Sequence, residues 1–586
     1  MRVLVEEWRI DCIDRIEPSM PCPGRGGTSA GCAVAFMQSP HVTRSTSSMN
    51  SHNALMKKLL PLAWVALSAC GDLPPDLQAP SDSPEPSAQI LPLTSETTAK
   101  ASEESPATLR TGTDCGLVIS TTDGEYVLSE IKQLEDINLS GCTYFAGNVR
   151  IAFKTPLVPT AQRYLFDLAN IKEVTGRILQ RDKGNTATTQ IAMFTGLERA
   201  GQIDNQSLIG CPYPALKSTD LVITEVSDCA FPSLETVKDM YVQSRSVSGF
   251  NKLTTAESIY IHHSLPTIRG FKALTKVNKL MIYDDLVGGT VQGSFPVLGS
   301  IGELIINNDD VCGLSMPKLT TIVGNVQLKK NKCSFAPIST VVSIGGNLLL
   351  EEDPPFSSYE THNGLTALVS VGGNLTLRLD PQSISGYNAL KTVGGTLSIT
   401  SRKSESLTGF KAVTSLGELS IDADKLSITG FQKLTTVNGP VSIKNNGSIA
   451  GFQLLSTLKG TLTLNTPGLG DLQFSKLAVL DGSLRYSNTG RDMPWSPFAA
   501  LTEVKGDVET TNSTRGYDAL VTVAGSLSIL GVPKDPRGMR SIFGFTGVKT
   551  VGKDLILDRG AISFGPYGTQ RLLDQLVGFK GKVILR

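Results

Sequence analysis

Histidines and paired aspartates are the side chains of this 586-residue chain that could act on a substrate or hold a metal. Asp285 and Asp310 each follow an apolar segment typical of a strand, and carboxylates on neighbouring strands could act together on a glycosidic bond. Turn positions explain such aspartates equally well. His262 and His263 are adjacent, so on a strand they point to opposite faces and cannot easily share a metal ion. We expect the histidines, His362 included, to have solvated or capping roles.

Known catalytic motifs are missing from the sequence, which has no GxSxG, HExxH or phosphate-loop pattern. We therefore expect no catalytic residue, no metal and no cofactor, and a binding protein rather than an enzyme. The charges balance at 54 basic against 54 acidic residues. This balance gives no reason to expect nucleic acid as a partner.

Cys70 is the cysteine with the most specific expected chemistry. It follows Met56-Lys57-Lys58 and an apolar run ending in Leu67-Ser68-Ala69, which is the order of a secretory signal peptide. The Leu-Ser-Ala-Cys ending resembles a bacterial lipobox, and this resemblance implies diacylglycerol attachment to Cys70 and cleavage just before it. We predict a lipoprotein signal peptide at 56–69, and we interpret 1–55 as a mis-assigned start or a discarded extension. An internal apolar stretch after a natural extension is the alternative.

Residues 70–112 are rich in Pro, Ser, Thr, Ala and Glu and contain few apolar clusters. Such a segment cannot bury enough surface to fold, so we predict a disordered tether between the lipidated cysteine and a folded domain at 113–586. The protein is then exported and anchored to a membrane of the cell envelope through its lipid. We expect it to be an outer-membrane lipoprotein.

One phrase recurs along the folded domain, and its copies share a glycine, an aromatic, spaced aliphatics, a turn and an alternating triplet. Copies include GYNALKTVGGTLSI at Gly386, GFQKLTTVNGPVSI at Gly430 and GFQLLSTLKGTLTL at Gly451. A repeat of about 21–24 residues indicates a solenoid, and the triplet, such as Leu397-Ser398-Ile399, indicates a short strand. We predict an all-β, right-handed β-solenoid. We expect the glycine before the aromatic to adopt a positive φ.

The stack has one irregular place, the proline-rich stretch 351–360. Either two blocks of coils meet there, or one coil of a continuous stack carries an insertion. The spacing of the flanking triplets favours the insertion.

Six cysteines fall in the folded domain, and an even number in an exported domain favours disulfides. No CxxC spacing supports a metal site. Cys312 and Cys333 lie about one repeat apart, at similar offsets after their triplets, so neighbouring coils should bring them within bonding reach. The predicted pairs are Cys312–Cys333, Cys211–Cys229 and Cys115–Cys142.

A cysteine-led turn, the F-P-x-L-x-x-V pattern of CAFPSLETVKDMYV from Cys229, and short coils resemble the receptor L domain. This leucine-rich-repeat-like module binds ligands in the insulin- and EGF-receptor ectodomains. The resemblance covers roughly 115–586 and implies a solenoid fold and a binding role, but no specific ligand. The chain departs from those receptors because it has neither a cysteine-rich furin-like region nor a kinase.

The middle residue of each triplet should face outward, and in the first half of the domain these residues are apolar. Exposed apolar strips mark binding surfaces, unless a loop or an extra strand covers them. We predict a binding face on these coils, with a polar rim at the next outward position of each strand. The candidate residues of the binding face are Tyr241, Tyr260, Met281, Tyr283, Ile305 and Leu349. Later coils carry Ser or Thr at the middle position, as a solvated sheet should.

These patterns predict a lipid-anchored envelope protein whose solenoid binds a protein or carbohydrate ligand in recognition or adhesion. Two alternatives stay open. One is a β-helix enzyme acting on polysaccharides, in which Asp285 and Asp310 would converge in a groove. The other is a structural surface protein that self-associates through the apolar strip.

Overall fold

The computed structural model describes most of the repeat region, and all described residues belong to one unit, Ser105–Arg586. The described ranges are 112–119, 121, 124–152, 165–181, 191–206, 213–224, 231–243, 246–262, 267–283, 290–307, 310–329, 336–352, 361–467, 473–488, 497–512, 515–531, 542, 544–559 and 569–586. Residues 1–111 lie outside these ranges. They include the segments 1–55 and 56–69, Cys70 and all but the last residue of the predicted tether 70–112.

Short strands dominate the described chain, with two α-helices and two brief 3₁₀ turns at Cys115–Leu117 and Ala336–Ile338. The helices are α1 (Ile131–Ser140) and α2 (Thr569–Gln575). The strands are β1 (Glu125–Leu128), β2 (Tyr144–Phe145), β3 (Asn148–Ile151), β4 (Leu165–Asp167), β5 (Glu173–Arg181), β6 (Ile191–Met193), β7 (Arg199–Gln206), β8 (Ser218–Thr224), β9 (Thr236–Val242), β10 (Ser246–Val247), β11 (Thr255–His262), β12 (Thr267–Ile268), β13 (Lys276–Tyr283), β14 (Thr290–Ser294), β15 (Ser300–Asn307), β16 (Asp310–Ser315), β17 (Thr321–Ile322), β18 (Val326–Lys329), β19 (Ser343–Ile344), β20 (Leu348–Glu351), β21 (Thr361–His362), β22 (Ser370–Val371), β23 (Leu375–Arg378), β24 (Ser383–Ile384), β25 (Thr392–Ser401), β26 (Ser406–Leu407), β27 (Ser415–Ala423), β28 (Ser427–Ile428), β29 (Thr436–Val437), β30 (Val441–Asn445), β31 (Thr457–Lys459), β32 (Leu462–Thr466), β33 (Val479–Asp481), β34 (Leu484–Asn488), β35 (Glu503–Val504), β36 (Val508–Thr511), β37 (Thr522–Val523), β38 (Leu527–Leu530), β39 (Thr550–Val551), β40 (Leu555–Leu557) and β41 (Val583–Leu585).

The chain is an all-β solenoid of parallel coils, as the repeats predict. A sheet of 31 strands, called the main sheet below, runs through the stack, and two four-stranded sheets, β10-β12-β14-β16 and β21-β24-β26-β28, form a second wall. In a typical coil a short strand such as β19 precedes a bend and a triplet strand such as β20. Each triplet pairs in parallel with the triplet of the next coil, so rows of equivalent residues run along the stack.

The stack is continuous across the irregular stretch, although 353–360 lie outside the described residues. β20 pairs directly with β23, with Leu348 opposite Leu375 and Glu351 opposite Arg378. The adjacent short strands β19 and β22 are also paired. The insertion therefore leaves the main sheet uninterrupted.

The aromatic of the repeat phrase forms the centre of the core. Its rings stack on those of neighbouring coils at centroid distances such as 5.4 Å between Phe410 and Phe431. One stack contains Phe194, Tyr213, Phe231, Phe250, Phe271 and Phe295, and the other Tyr387, Phe410, Phe431, Phe452, Phe474, Phe498, Tyr517 and Phe545. Between the stacks, the buried residues Met316, Ile338 and Leu365 begin the same type of turn. Stacking neighbours thus buries what one coil alone would expose.

The expectation of a positive φ at the glycine before the aromatic is correct in some coils and wrong in others. Gly451 has φ 103°, but in the two preceding coils the aromatic takes this conformation, with φ 62° at Phe410 and 61° at Phe431. The glycines of those coils serve close packing instead. A Cβ on Gly409 or Gly430 would collide with the carbonyl oxygen of the preceding coil's glycine.

The first coils contain the disulfide Cys115–Cys142, as predicted, with a Cα–Cα distance of 5.1 Å. α1 buries Leu134 and Ile137 and begins with a capping box between Glu130 and Gln133. Of the other predicted pairs, Cys211, Cys229 and Cys333 lie outside the described residues, and only the backbone of Cys312 is described. Those two pairs stay predictions.

Candidate functional site

The predicted apolar residues form one row on the outer face of the main sheet. We call Tyr241, Tyr260, Met281, Ile305 and Leu349 the apolar strip. The strands hold them in register, with Gln327 between the last two. Tyr241 is 37% exposed, and the other members are partly exposed. Because their neighbours Met240, Ile259 and Leu280 are fully buried, the alternation of the strands turns the strip outward.

Ile223 extends the apolar strip by one coil and was missed by sequence reasoning. The triplet Leu221-Val222-Ile223 would place Val222 outward, but Val222 is buried and Ile223 is partly exposed opposite Tyr241. The pairing of Val222 with buried Met240 fixes this register. Only the alignment of the two coils could have revealed it.

Two tyrosines lie side by side at the start of the strip. The ring centroids of Tyr241 and Tyr260 are 6.4 Å apart, with the ring planes at 34°. Tyr283 lies one outward position beyond Met281, and burial raises the pKa of its hydroxyl although Lys279 opposes the shift. The phenol of Tyr283 therefore stays protonated at neutral pH, and all three tyrosines offer both ring surface and hydrogen-bonding hydroxyls.

The charges beside the strip are paired with one another. On one side Lys279 Nζ lies 3.0 Å from Glu303 Oε2, and this hydrogen bond is the main cause that raises the pKa of Lys279. On the other side Glu351 lies 3.4 Å from Arg378 and 4.0 Å from Lys329. Charged residues thus border the strip on both sides, with the predicted rim on the side of Lys329 and Glu351, and their ion pairs cancel most of the net charge.

Asn307 adds an uncharged acceptor to this rim. Its Oδ1 is buried and has no hydrogen-bond partner within the described part of the chain. The residue lies opposite Tyr283 on the neighbouring strand. A buried acceptor without a partner costs free energy, so the side chain of Asn307 does not serve the packing of the sheet alone.

The face changes character after Leu349. The same row continues through small hydroxyl residues: Thr376, Ser398, Ser420, Ser442 and Thr463. The last coils of the row carry Arg485, Glu509, Ser528, Ile556 and Ile584. One continuous sheet face therefore has an apolar first segment, a hydroxyl middle segment and a mixed last segment.

A second polar cluster is buried inside the stack, and no pattern in the sequence indicates it. His362 pairs with Ile384 and is buried in the core, so the expected solvated role is wrong for it. Its Nε2 lies 3.0 Å from the hydroxyl of Tyr387, and its Nδ1 lies 4.0 Å from Glu352 Oε1. Burial lowers the pKa of His362 to about 4 and raises the pKa of Glu352 to about 7. The buried imidazole is therefore neutral at physiological pH and serves packing.

Several predicted chemical residues cannot be placed. Cys70, His263 and Asp285 lie outside the described residues, and the side chain of Asp310 is not described. His262 is partly exposed at the end of β11. Within the described ranges, no group of three or more His, Cys, Asp or Glu side chains could hold a metal ion.

Comparisons of the chain with protein-family models, curated proteins and solved structures gave no match. The function is therefore inferred from the residues and their geometry. In the parts of the chain described, we find no helical segment with the length and hydropathy of a transmembrane helix.

Proposed function

We propose that this chain is a recognition protein of the cell envelope, held to a membrane by a lipid on Cys70, that binds a protein ligand on the apolar strip. The observation that carries the proposal is the change along one sheet face. Its first coils expose Tyr, Met, Ile and Leu, whereas the five coils after Leu349 expose Ser or Thr. The inner face of the sheet is apolar in both segments, so packing of the core does not explain the apolar residues on the outer face.

The composition of the strip supports a protein ligand. Interface cores are enriched in tyrosine and methionine and depleted of charge, and polar residues surround them. Here the tyrosine pair and Met281 form the centre, and the self-paired charges of Lys279 and Glu303 border it. Half-exposed ion pairs contribute little affinity, so the tyrosines should act as the anchors.

A paired set of variants tests the strip. We expect the triple variant Tyr241→Ser, Tyr260→Ser, Met281→Ser to bind its envelope protein at least ~100-fold more weakly, because truncation of a central anchor costs about 2 kcal/mol. Captured envelope protein, purified and titrated by biolayer interferometry, provides the measurement. The matched control changes Ser398, Ser420 and Ser442 of the same row to Ala and should bind normally.

Equal binding by the triple variant and the wild type would refute the strip as the interface. Self-association that the triple variant abolishes would instead favour the structural surface protein. Circular dichroism should show both variants folded, because all six substituted side chains face outward.

A further inference from the structure

A groove of about 470 Å³ crosses four coils of the main sheet, on coils that begin beyond the tyrosines of the apolar strip. It follows the short strands β17, β19 and β22 and the start of β25. The hydroxyl side chains along it are Thr321, Ser343, Ser370 and Thr392. Strand pairing places these four residues in one row, each opposite the next.

Glycine pairs create the groove. Gly345, Gly372 and Gly394 line it, and each is followed by a second glycine. A Cβ on any of the three would collide with a carbonyl oxygen of the preceding coil, so stacking itself keeps the floor free of side chains. In the next coil Gly417 is followed directly by Glu418, which pairs with Thr396, so the second glycine is missing there and the groove ends.

The lining has hydrogen-bonding groups but no charge. None of the described residues that line the groove is acidic or basic. Val323, which is 65% exposed, supplies an apolar surface beside the hydroxyls. A polyanion such as nucleic acid needs basic contacts, which this lining lacks. The lining instead matches a ligand that presents uncharged hydroxyls and small apolar patches.

The groove is also rigid. Asn325 Oδ1 accepts a hydrogen bond from the backbone N–H of Asn347 at 2.9 Å, and Asn347 Oδ1 accepts one from the N–H of Asn374 at 2.8 Å. These bonds tie three coils together directly beside the glycine floor. A preorganised site loses little conformational freedom when a ligand binds.

We propose that this groove binds a neutral, linear polysaccharide lying along the stack, across the coils. Hydroxyl groups recur at the strand spacing of about 4.8 Å, so successive sugars meet equivalent donors and acceptors. Leu349 of the apolar strip lies on one of the coils of the groove, but the site uses none of the residues of the strip and does not depend on protein binding there.

Calorimetric titration of the full chain tests the groove. The probes are neutral hexasaccharides of the cello-, xylo-, malto- and N-acetylchito- series, with an alginate hexamer as the anionic comparison. We expect at least one neutral series to bind. The double variant Ser370→Ala, Thr392→Ala should weaken that binding about thirtyfold, since it removes two hydrogen bonds to the ligand.

The matched control is Ser415→Ala, Thr436→Ala, which removes a serine and a threonine from the same row on the next two coils, beyond the groove. It should bind normally, whereas Ser343→Arg should block the groove by bulk and charge. The proposal is overturned if no neutral series binds, if only alginate binds, or if the groove variants bind as the control does. Loss of glycan binding in the triple variant Tyr241→Ser, Tyr260→Ser, Met281→Ser would also overturn the proposal, because it would show that the sugar binds at the strip and not in the groove.

Discussion

Two pairs of polar side chains lie in the core of this solenoid. Tyr213 and Tyr387 occupy positions where most coils have phenylalanine, and each bonds to a buried polar side chain. Gln180 donates to the Tyr213 hydroxyl at 3.0 Å, and His362 lies equally close to Tyr387. A buried hydroxyl without a partner costs about 1–3 kcal/mol, which explains why the substitutions come together. Sequence reasoning found neither pair, because their members lie 33 and 25 residues apart.

Glu352 should make the stability of the protein depend on pH. Its pKa is raised from 4.5 to about 7 in the folded state by burial, so folding loses free energy as pH rises from 4.5 through 7. The full cost above pH 7 is about 3 kcal/mol. Glu352→Gln removes it, so chemical denaturation should show a clear gain in stability at pH 8 and little gain at pH 5.

The neighbouring Glu351 provides the control for this experiment, since it lies in the rim and pairs with Arg378. Glu351→Gln should show no gain that grows toward pH 8. His362 shifts in the opposite direction, with its folded pKa lowered to about 4, so its cost grows as pH falls below 6.5 and is common to both variants. An equal gain from Glu352→Gln at both pH values would contradict the assignment.

At the scale of one coil, the repeat phrase predicted the elements well because its aromatic and aliphatic residues carry the core. The turn was predicted less well. In four coils the aromatic residue, and not the glycine before it, has the positive φ: Phe271, Tyr387, Phe410 and Phe431. Local preference favours glycine for that conformation, but contact between coils requires glycine one residue earlier, and that contact is invisible in a single copy. The groove escaped prediction for the same reason, since it exists only where glycine pairs of successive coils align.

Two glycine substitutions separate these roles. Gly409→Ala should destabilise the fold by about 2 kcal/mol, because its Cβ would strike the carbonyl oxygen of Gly386. Gly299→Ala is the control, since the nearest atom to its Cβ lies 4.0 Å away and its φ is ordinary. It should be neutral or slightly stabilising. Equal urea midpoints for the two variants would show that close packing of the coils does not explain Gly409.

At the scale of the whole molecule, the sequence predicted a continuous parallel stack, and the pairing of β20 with β23 agrees with an insertion at 351–360. It also predicted Cys115–Cys142 correctly. It left the register of Ile223 and the buried Glu352–His362–Tyr387 cluster unforeseen. Both depend on which residues of different coils become neighbours. The repeat pattern of the sequence predicts the register between coils only to within about a residue.

The lipid anchor is a prediction about the whole molecule. Cys70→Ser should move the protein from the membrane fraction to the soluble fraction and abolish labelling with an alkynyl fatty acid, because the acyl chains contribute about 0.8 kcal/mol per buried CH₂. Cys32→Ser serves as the control, since residues 1–55 should be absent from the mature protein. Membrane retention of the Cys70→Ser protein would exclude lipidation at this residue as the anchor.

The in-register stack has a metric consequence. Each coil advances the sheet by one strand spacing of about 4.8 Å, and each coil contacts mainly its immediate neighbours. Inserting one whole coil between β15 and β17 would therefore lengthen the distance from Tyr260 to Ser370 by one such step, while leaving the tyrosine pair and the groove intact. The number of coils therefore sets the distance between the two surfaces, and evolution or engineering can change that distance only in steps of one coil.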